Sequence, residues 1–501
     1  MGRVQFCTMS TDQDRQGQRW KIAAIFIFVF ALYFLTRSPD LDEWDSVQFA
    51  WGVRGFDLWN HHPHPPGYPL YILAGWMGNA FWHWEPVFSL EIASCLGGAL
   101  FVAAWFLIVR LQFGEKLAWL VGASLTITPV VWMTSTKVLT DSLASGLLSA
   151  QLLCMLLYRG RGCFRDLILA ACFGAAGTGV RPQLFLVALV ILIGPLAERK
   201  CSAKIWYAGI GAFILGCLFW LTPMWYLQAR LDSHTPAWLV YPEQIYQQWR
   251  WRLDKPDVFI GAGDFSPRYL GERFAVHILG WFGFGLGFVR FPFTIAAGSL
   301  LTGWGLIAYW FGFNEEDREF WRAHWVWMMV HVLIIYCFLP GDQRYYLLVM
   351  PLILVVLLRG FLALRKPWRF VAIALPLLLL GVSIPVAMQS RNQEAPPVRL
   401  VRFLQQQYPF PERRGVLLFL GISFRHFEWY APEFDAIEAD SLAAVKPERL
   451  ASARAIYTEY PTITLPEGWR IVPVAHFERS VVIYPKHHTV TLFRVERSAA
   501  L

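Results

Sequence analysis

The sequence predicts a mainly α-helical membrane protein, a polytopic bundle of transmembrane helices followed by a soluble α/β domain. Three observations predict this class. Of the 501 residues, 56% are hydrophobic and only 16% are charged, whereas soluble domains carry roughly a quarter of charged residues. Apolar runs recur from Trp20 to residue 388 with short basic clusters between them. After Gln389, charges, prolines and short alternating runs replace the long apolar segments.

The first predicted helix covers about Trp20–Leu35. We interpret it as a retained span rather than a signal peptide, because no small-residue cleavage site follows it and the run is long enough to cross. Arg15, Arg19 and Lys21 precede this helix, and by the positive-inside rule they keep the N-terminus cytoplasmic. Residues 37–67 are then the first external loop.

Further apolar runs predict a bundle of about eleven to thirteen spans. Several runs are short for a bilayer of about 30 Å, which favours tilted, broken or re-entrant segments among them. A Gly-rich piece at 276–290 fits the membrane interface better than a span. The predicted runs lie at about 68–84, 88–109, 117–133, 138–158, 166–179, 183–196, 292–313, 323–339, 345–362 and 368–388.

Three loops rich in Lys or Arg are expected to be cytoplasmic; they are Arg159–Arg165, Glu198–Lys204 and Arg359–Arg369. Working outward from these loops places Thr140-Asp141, Arg181-Pro182 and the loop from Pro340 to Tyr346 outside. Counting helices forward from the N-terminus gives Asp141 the opposite side, unless one segment between 68 and 133 fails to cross. We follow the charge rule.

Two other connections are assigned by the same reasoning. A polar insert at about 229–275 is expected outside, and the loop Asn314–Arg322, which carries acids as well as arginine, is placed in the cytoplasm by its neighbours. The membrane domain then comprises residues 1–388. Residues 389–501 form the C-terminal domain on the external face, because the last span leaves from the basic loop 359–369.

The C-terminal domain is predicted as α/β from its short apolar runs. These runs are Gly415–Gly421, Arg470–Ala475 and Ser480–Tyr484. No catalytic motif is recognisable in it.

The chemistry is expected in the first external loop, where Asp42, Glu43 and Asp45 directly follow the first helix. A single external acid is usually a solvated loop charge. Here three acids precede three histidines and a proline-rich return to the membrane, and this combination favours a functional site. Acids at the membrane surface beside a cavity suit a reaction on a lipid-borne substrate whose head group stays at the surface.

The motif Asp45-Ser46-Val47-Gln48-Phe49-Ala50, followed by His64-Pro65-Pro66-Gly67-Tyr68-Pro69, resembles the first external loop of the GT-C superfamily of polytopic glycosyltransferases. It is similar to the protein O-mannosyltransferase and aminoarabinose transferase families. In those families an Asp, often in an Asp-Glu pair, precedes an aromatic-Ala step by four residues, as Asp45 precedes Phe49. Asp42-Glu43 matches the acidic pair by identity but not by spacing, so the assignments compete. We rank Asp45 first.

The resemblance covers roughly residues 20–365 in order and spacing. It extends more weakly to Thr140-Asp141, to Arg181-Pro182, and to Arg344-Tyr345 with the later Pro351. It implies an inverting hexosyl- or pentosyltransferase that moves a sugar from a polyprenyl-phosphate donor to a glycan, lipid or protein acceptor on the external face.

The residues suit such a transfer. An acceptor hydroxyl is a poor nucleophile, and Asp45 is the candidate base that takes its proton, with Asp42 and Glu43 in support. Arg344 and Arg181 are candidates for the departing phosphate, because guanidinium groups bind phosphate in a bidentate manner.

Each of the substrate-binding candidates has an alternative explanation. Arg344, beside Tyr345, also fits a helix-end arginine that reaches the interface, and Arg181-Pro182 also fits an ordinary turn. Asp141 is expected to hold an arginine, to bind the acceptor, or to cap the helix that starts after Thr140. His64, within the Pro-rich step, is the histidine we place nearest the site.

A metal ion is an open question at this stage. His61, His62 and His64 invite a metal interpretation, but hard divalent ions prefer oxygen ligands, and a His-rich turn before two prolines is as easily an ordered loop. We therefore predict no metal ligand among the histidines. No cofactor is certain; the alternative is Mg²⁺ or Mn²⁺ held by Asp45, Asp42 and the donor phosphate.

Other function classes fit less well. The net charge of +8 comes from short basic clusters between apolar runs, so no nucleic-acid partner is predicted. The eight cysteines form no CxxC pair, and neither a disulfide framework nor a zinc site is indicated. A lipid-linked sugar flippase and a non-catalytic assembly component are the alternatives. The predicted partners are a lipid-linked sugar donor, an acceptor and membrane lipids. The predicted location is the bacterial inner membrane, with an organelle membrane as the alternative.

Overall fold

A computed structural model of the protein describes residues 12–198, 201–231, 239, 241–244, 246–247, 271, 292–338, 343–366, 369–479 and 489–497. Most of the predicted insert at 229–275, the piece at 276–290, residues 340–342 and the predicted run Ser480–Tyr484 lie outside the described residues.

The membrane part is a bundle of apolar helices. Over the described ranges, six helices are long and apolar enough to cross a membrane, or up to seven if one bent pair counts as a single span. The chain is therefore a multi-pass integral membrane protein, and the larger expected number of spans stays a prediction. The helices are α1 (Asp12–Leu35), α2 (Trp44–Arg54), α3 (Pro69–Trp82), α4 (Pro86–Phe113), α5 (Glu115–Ile127), α6 (Pro129–Ser135), α7 (Asp141–Arg161), α8 (Phe164–Val180), α9 (Phe185–Glu198), α10 (Ala203–Leu231), α11 (Pro292–Gly312), α12 (Glu315–Phe338), α13 (Met350–Ala363) and α14 (Phe370–Asn392).

The break between α5 and α6 confirms that some of the apolar runs are interrupted. The two helices meet at an angle of 57°. Thr128, which precedes Pro129, adopts an extended conformation with ψ 126°, because the proline ring disfavours the helical region for the residue before it.

Two helices differ from the sequence prediction. α10 fills residues 203–231, where no span was predicted; it is apolar and contains Pro223, which a membrane helix tolerates when neighbours satisfy the freed backbone groups. α12 begins inside the predicted loop Asn314–Arg322. The Asp317 N–H donates to Asn314 Oδ1 over 3.2 Å and the Asn314 N–H donates to Asp317 Oδ2 over 3.0 Å, a reciprocal cap that starts the helix early.

α3 does not cross the bundle. With 14 residues it is only about 21 Å long. Its first turn meets the first turns of α4, since Tyr71 Oη lies 2.8 Å from Ser94 Oγ, and near its end Asn79 Nδ2 donates to Trp84 O over 2.8 Å. Arg37, just after α1, reaches Glu91 of α4 over 3.1 Å. α4 therefore starts at the end of the bundle that carries residues 37–67, called the loop-1 end below.

This packing resolves the conflict between the charge rule and the helix count. α4 leads away from the loop-1 end, and the bent pair α5 and α6 leads back to it. Lys137, after α6, accordingly contacts Asp42 of the first loop over 2.7 Å. Asp141 lies on the same side as loop 1, as the charge rule predicted, because the run at 68–84 is the segment that fails to cross.

The C-terminal domain contains a mixed five-stranded sheet in the order β2-β1-β3-β5-β4. β1 pairs in parallel with β2 and β3, whereas β5 pairs antiparallel with β3 and β4. β1, which lies between β2 and β3, is buried along its whole length, as expected for a strand covered on both faces. The elements are β1 (Val416–Leu420), β2 (Asp435–Glu438), β3 (Ala455–Thr458), β4 (Trp469–Glu478) and β5 (Thr489–Arg497), with helices α15 (Pro396–Gln407), α16 (Phe424–Tyr430) and α17 (Pro447–Ser452).

Candidate functional site

Asp42 is the buried anchor of the acidic loop. Its Oδ2 lies 2.7 Å from Lys137 Nζ and 3.1 Å from Arg479 Nη1, and Ser38 Oγ donates to its Oδ1 over 3.0 Å. Burial alone would raise the pKa of this carboxyl, but Arg479 and Lys137 together lower it to about 2. Asp42 is therefore ionised at neutral pH and held by basic groups from two parts of the chain.

Glu43 is as buried as Asp42, with 3% of the residue exposed, but its environment is different. Burial raises its pKa to about 7, although Lys137 and Arg344 oppose the rise. The neighbouring negative charges of Asp42 and Asp45 add to it. Glu43 is thus a carboxyl group that titrates near neutral pH.

Asp45 lies in the first turn of α2. Its Oδ2 is 2.8 Å from Arg344 Nη2, and 28% of its side chain is exposed against 7% for Arg344. Arg344 belongs to a 3₁₀ segment, Gln343–Val349, that precedes α13. The loop acid and the late arginine, about 300 residues apart in the sequence, are thereby direct partners.

A cavity of about 270 Å³ adjoins this pair at the loop-1 end. Arg181 and Asp141 line it and form a buried ion pair of 2.6 Å, while Arg181 Nη1 also donates to Thr140 Oγ1 over 3.0 Å. Thr140, the N-cap residue of α7, forms no side-chain cap, and Asp141 in the first turn of the helix holds an arginine, one of the roles expected for it. The lining residues are Asp141, Ser145, Arg181, Gln183, Leu184, His331, Ile334, Ile335, Arg344, Tyr345 and Leu348.

Tyr345 connects the two arginines of the cavity. The Cζ atom of Arg181 lies 4.8 Å from the centroid of the Tyr345 ring, and that of Arg344 lies 5.5 Å from it. His331 of α12 fixes the backbone here, since its Nε2 lies 2.9 Å from Tyr345 O. The site therefore contains two guanidinium groups about one aromatic ring, where cation–π attraction holds both.

His64 reaches the cavity through a chain of hydrogen bonds. Its Nδ1 lies 2.5 Å from Gln48 Oε1, which can only accept, so Nδ1 carries the proton. Tyr68 Oη then donates to His64 Nε2 over 2.7 Å and accepts from Gln183 Nε2 over 3.1 Å. Gln183 lines the cavity. The Pro-rich step therefore connects α2 to the cavity wall.

The other two histidines turn away from this chain. The His62 ring stacks on Trp51 at 5.1 Å, and His61 follows a tight turn in which His61 N donates to Leu58 O. Over the residues that the structure describes, no three His, Cys, Asp or Glu side chains are placed to hold a metal ion. Asp42 and Asp45, the oxygen ligands considered for Mg²⁺ or Mn²⁺, each contact a basic side chain instead.

Sequence reasoning missed four residues that the structure places in or against the site: Lys137, Gln183, His331 and Arg479. Lys137 carried a usable signal, because a lysine in the apolar stretch before Thr140-Asp141 is expensive to bury without a partner. Only 1% of it is exposed. Arg479 gave no such signal, since it is one of many arginines in the C-terminal domain.

Comparison with known proteins adds a family and a structural likeness. Residues 64–239 match the family described as dolichyl-phosphate-mannose-protein mannosyltransferase, and no curated protein matches the sequence. The crystal structure of ArnT from Cupriavidus metallidurans bound to undecaprenyl phosphate is similar, with 12% identity, a TM-score of 0.48 and coverage of 95% of this chain and 98% of that chain. The apo structure of the same protein gives 12% identity, a TM-score of 0.40 and coverage of 96% and 98%.

The family match begins at His64 and includes Asp141 and Arg181, whereas Asp45 precedes it and Arg344 follows it. Arg344 is tied to the matched segment by the cavity that it lines together with Arg181, and Asp45 is tied to it through the ion pair with Arg344. Over residues 64–239 the chain has the sequence pattern of the dolichyl-phosphate-mannose-protein mannosyltransferase family, and the resemblance indicated by the loop motif is confirmed.

Proposed function

We propose that the protein is an inverting glycosyltransferase that moves a sugar from a polyprenyl-phosphate donor to an acceptor hydroxyl at the external face of the membrane. The loop-1 end would be external, with about eleven to thirteen spans and the C-terminal domain on the same face. The family match over residues 64–239 supports the reaction class.

One observation carries the proposal: the Asp45–Arg344 ion pair of 2.8 Å next to a cavity that Arg344 and Arg181 line. Sugar transfer from a lipid phosphate needs a base at the acceptor oxygen and positive charge at the departing phosphate. Asp45, a carboxylate with 28% of its side chain exposed, supplies the base. The arginines supply the charge in a largely buried setting, where electrostatic stabilisation is strongest.

The ion pair also suggests how the two roles are linked. A donor phosphate that binds Arg344 competes with Asp45 for the same guanidinium, because both are anionic oxygen ligands. Phosphate binding would then weaken the hold of Arg344 on Asp45 and leave the carboxylate a stronger base. Arg181, which lies against the same Tyr345 ring and lines the same cavity, would also bind the phosphate, with Asp141 fixing its orientation.

The remaining candidates have supporting roles. Asp42 keeps the loop in place through Lys137 and Arg479, and Glu43 adds a negative charge beside Asp45 as the pH rises past about 7. His64 fixes the wall of the cavity through Tyr68 and Gln183. The acceptor is a glycan, a lipid or a protein.

The test is sugar transfer by purified Asp45→Asn protein with a labelled polyprenyl-phosphate sugar. Loss of the base should reduce the rate by about 10² to 10⁴, while donor binding persists. The matched control is Asp57→Asn, the same substitution in the same loop, where the carboxylate caps a local turn. Transfer by Asp45→Asn at the wild-type rate would exclude Asp45 as the base. If the protein moves the lipid-linked sugar across the membrane of a vesicle but transfers no sugar, the alternative function of a flippase would be favoured.

A further inference from the structure

The acidic loop is held by the C-terminal domain as well as by the bundle. Arg479, just after β4, is 5% exposed. Its Nη1 pairs with Asp42 over 3.1 Å, and its Nη2 donates to the carbonyl oxygens of Ser390 over 2.9 Å and Gln393 over 2.5 Å. One guanidinium group thus joins the domain, the end of α14 and the loop.

A second contact from the same domain fixes the backbone one residue earlier. The Leu41 N–H donates to Tyr430 Oη over 3.2 Å, and His426 Nε2 donates to Leu41 O over 2.9 Å. Both side chains belong to α16. The loop before α16 is itself fixed, since Glu459 accepts from the N–H groups of Gly421 and Ser423 over 2.9 and 3.2 Å.

These contacts lie directly before α2 in the sequence, the helix that carries the proposed base. Leu41 and Asp42 precede α2, whose first turn carries Asp45, and Glu43 at its N-cap forms no side-chain cap. The start of α2 therefore depends on contacts from elsewhere in the fold rather than on its own capping. Ser38 and Lys137 supply such contacts from the membrane part, and Arg479, Tyr430 and His426 supply others from the C-terminal domain.

We propose that Arg479, together with Tyr430 and His426, is a positioning residue that sets the placement of Asp45 against Arg344, so that the C-terminal domain is part of the transferase site. This inference rests on the proposed function. None of the three is among the residues that line the cavity; each acts through Leu41 or Asp42. Loss of such a contact displaces the base without removing it, and a displacement of about 1 Å costs on the order of 10²-fold in rate.

The experiment compares four variants of the full-length protein in detergent or nanodiscs. Arg479→Gln removes the charge, and Arg479→Lys keeps the charge but not the planar fork that reaches three acceptors. Tyr430→Phe removes one hydrogen bond and preserves packing. Arg449→Gln is the control, because Arg449 forms an exposed ion pair with Asp435 in the same domain. Hydrogen exchange of a peptide covering residues 36–50 is measured beside kcat and the donor KM.

We expect Arg479→Gln to increase exchange in this peptide and to lower kcat by roughly tenfold to a hundredfold with an unchanged donor KM. Arg479→Lys should lie between Arg479→Gln and wild type, Tyr430→Phe should show a smaller change in the same direction, and Arg449→Gln should match wild type. A wild-type kcat in Arg479→Gln, or a fall in kcat without increased exchange, would overturn the inference. If wild-type protein transfers no sugar at all, the proposed function fails, and the exchange of residues 36–50 still decides whether Arg479 positions the loop.

Discussion

At the scale of single residues, the first loop places two neighbouring acids in opposite electrostatic environments. Asp42 has two basic partners, and its pKa falls to about 2. Glu43 has no such excess of positive charge to offset burial, and its pKa rises to about 7. Two acids that are adjacent in the sequence therefore differ in role: Asp42 is a permanently charged anchor, whereas Glu43 titrates near neutral pH.

The raised pKa of Glu43 predicts a pH-dependent stability. Between its ordinary pKa of 4.5 and the folded value of about 7, the folded state binds more protons than the unfolded state, so stability is lost as the pH rises through this window. Glu43→Gln removes the titration. Relative to wild type, the variant should gain stability from pH 4.5 to 7, by up to about 3 kcal/mol, and the gain should level off above pH 7.

The measurement is the thermal midpoint of both proteins in detergent from pH 4 to 9. Asn60→Gln serves as the control, because it exchanges one neutral, exposed side chain of the same loop for another, and its difference from wild type should be flat over the same range. A constant difference between Glu43→Gln and wild type would show that Glu43 does not titrate in this window.

At the scale of elements, α3 decides the topology of the first half of the bundle. It is apolar, yet it stays at the loop-1 end and leaves Trp76, Phe81 and Trp82 exposed by 50%, 65% and 58%. Such rings suit the membrane interface, where aromatic side chains concentrate. Because α3 does not cross, α4 starts where α1 ends, and Lys137 and Asp141 reach the site from the following helices.

A labelling experiment checks this placement. In protein whose eight native cysteines are replaced by serine, a cysteine introduced at His83 should react with a membrane-impermeant thiol reagent from the same side as one at Asn60. A cysteine at Arg161, which ends α7 at the far end of the bundle, should react only from the opposite side. If His83→Cys and Arg161→Cys react with the reagent from the same side of the membrane, α3 crosses the membrane and the placement is wrong.

At the scale of the whole molecule, the C-terminal domain is docked on the bundle through aromatic and charged contacts. Trp429 of α16 meets the ring of Trp51 in α2 edge to face, with centroids 5.1 Å apart, and Arg54 lies 3.8 Å above the Trp429 ring. Together with Arg479 and Leu41, these contacts join the domain to loop 1. We expect the two parts to unfold in one cooperative transition.

Trp429→Ala tests this docking. Loss of the ring pair and of the cation–π contact should cost about 1 to 2 kcal/mol, enough to lower the melting temperature of the domain by about 5 °C or more and to separate a second transition in calorimetry. Phe410→Ala is the control, since Phe410 is 65% exposed. A single unshifted transition in Trp429→Ala would indicate that the docking depends on other contacts.

The sequence by itself determined the class of the protein and the neighbourhood of its site. Hydropathy identifies the membrane spans, because backbone N–H and C=O groups in lipid must form their hydrogen bonds within a helix. The basic loops place Asp141, Arg181 and Arg344 on the side of loop 1. This assignment does not depend on counting helices, because Lys and Arg are enriched in the loops on one side of the membrane however many segments cross it. The spacing of Asp45 to Phe49 and the Pro-rich step were sufficient to indicate the glycosyltransferase resemblance.

Only the tertiary structure decided the partners. The pairing of Asp45 with Arg344, of Asp141 with Arg181 and of Asp42 with Lys137 and Arg479 depends on which helix ends meet, and this follows from α3 turning back instead of crossing. The same limit applies to Asp141, for which the sequence left arginine binding, acceptor binding and helix capping open, and to residues 203–231, where no span was predicted and the structure has α10. Local sequence specifies the period and apolarity of an element, whereas the distance between charges remote in sequence is fixed by packing.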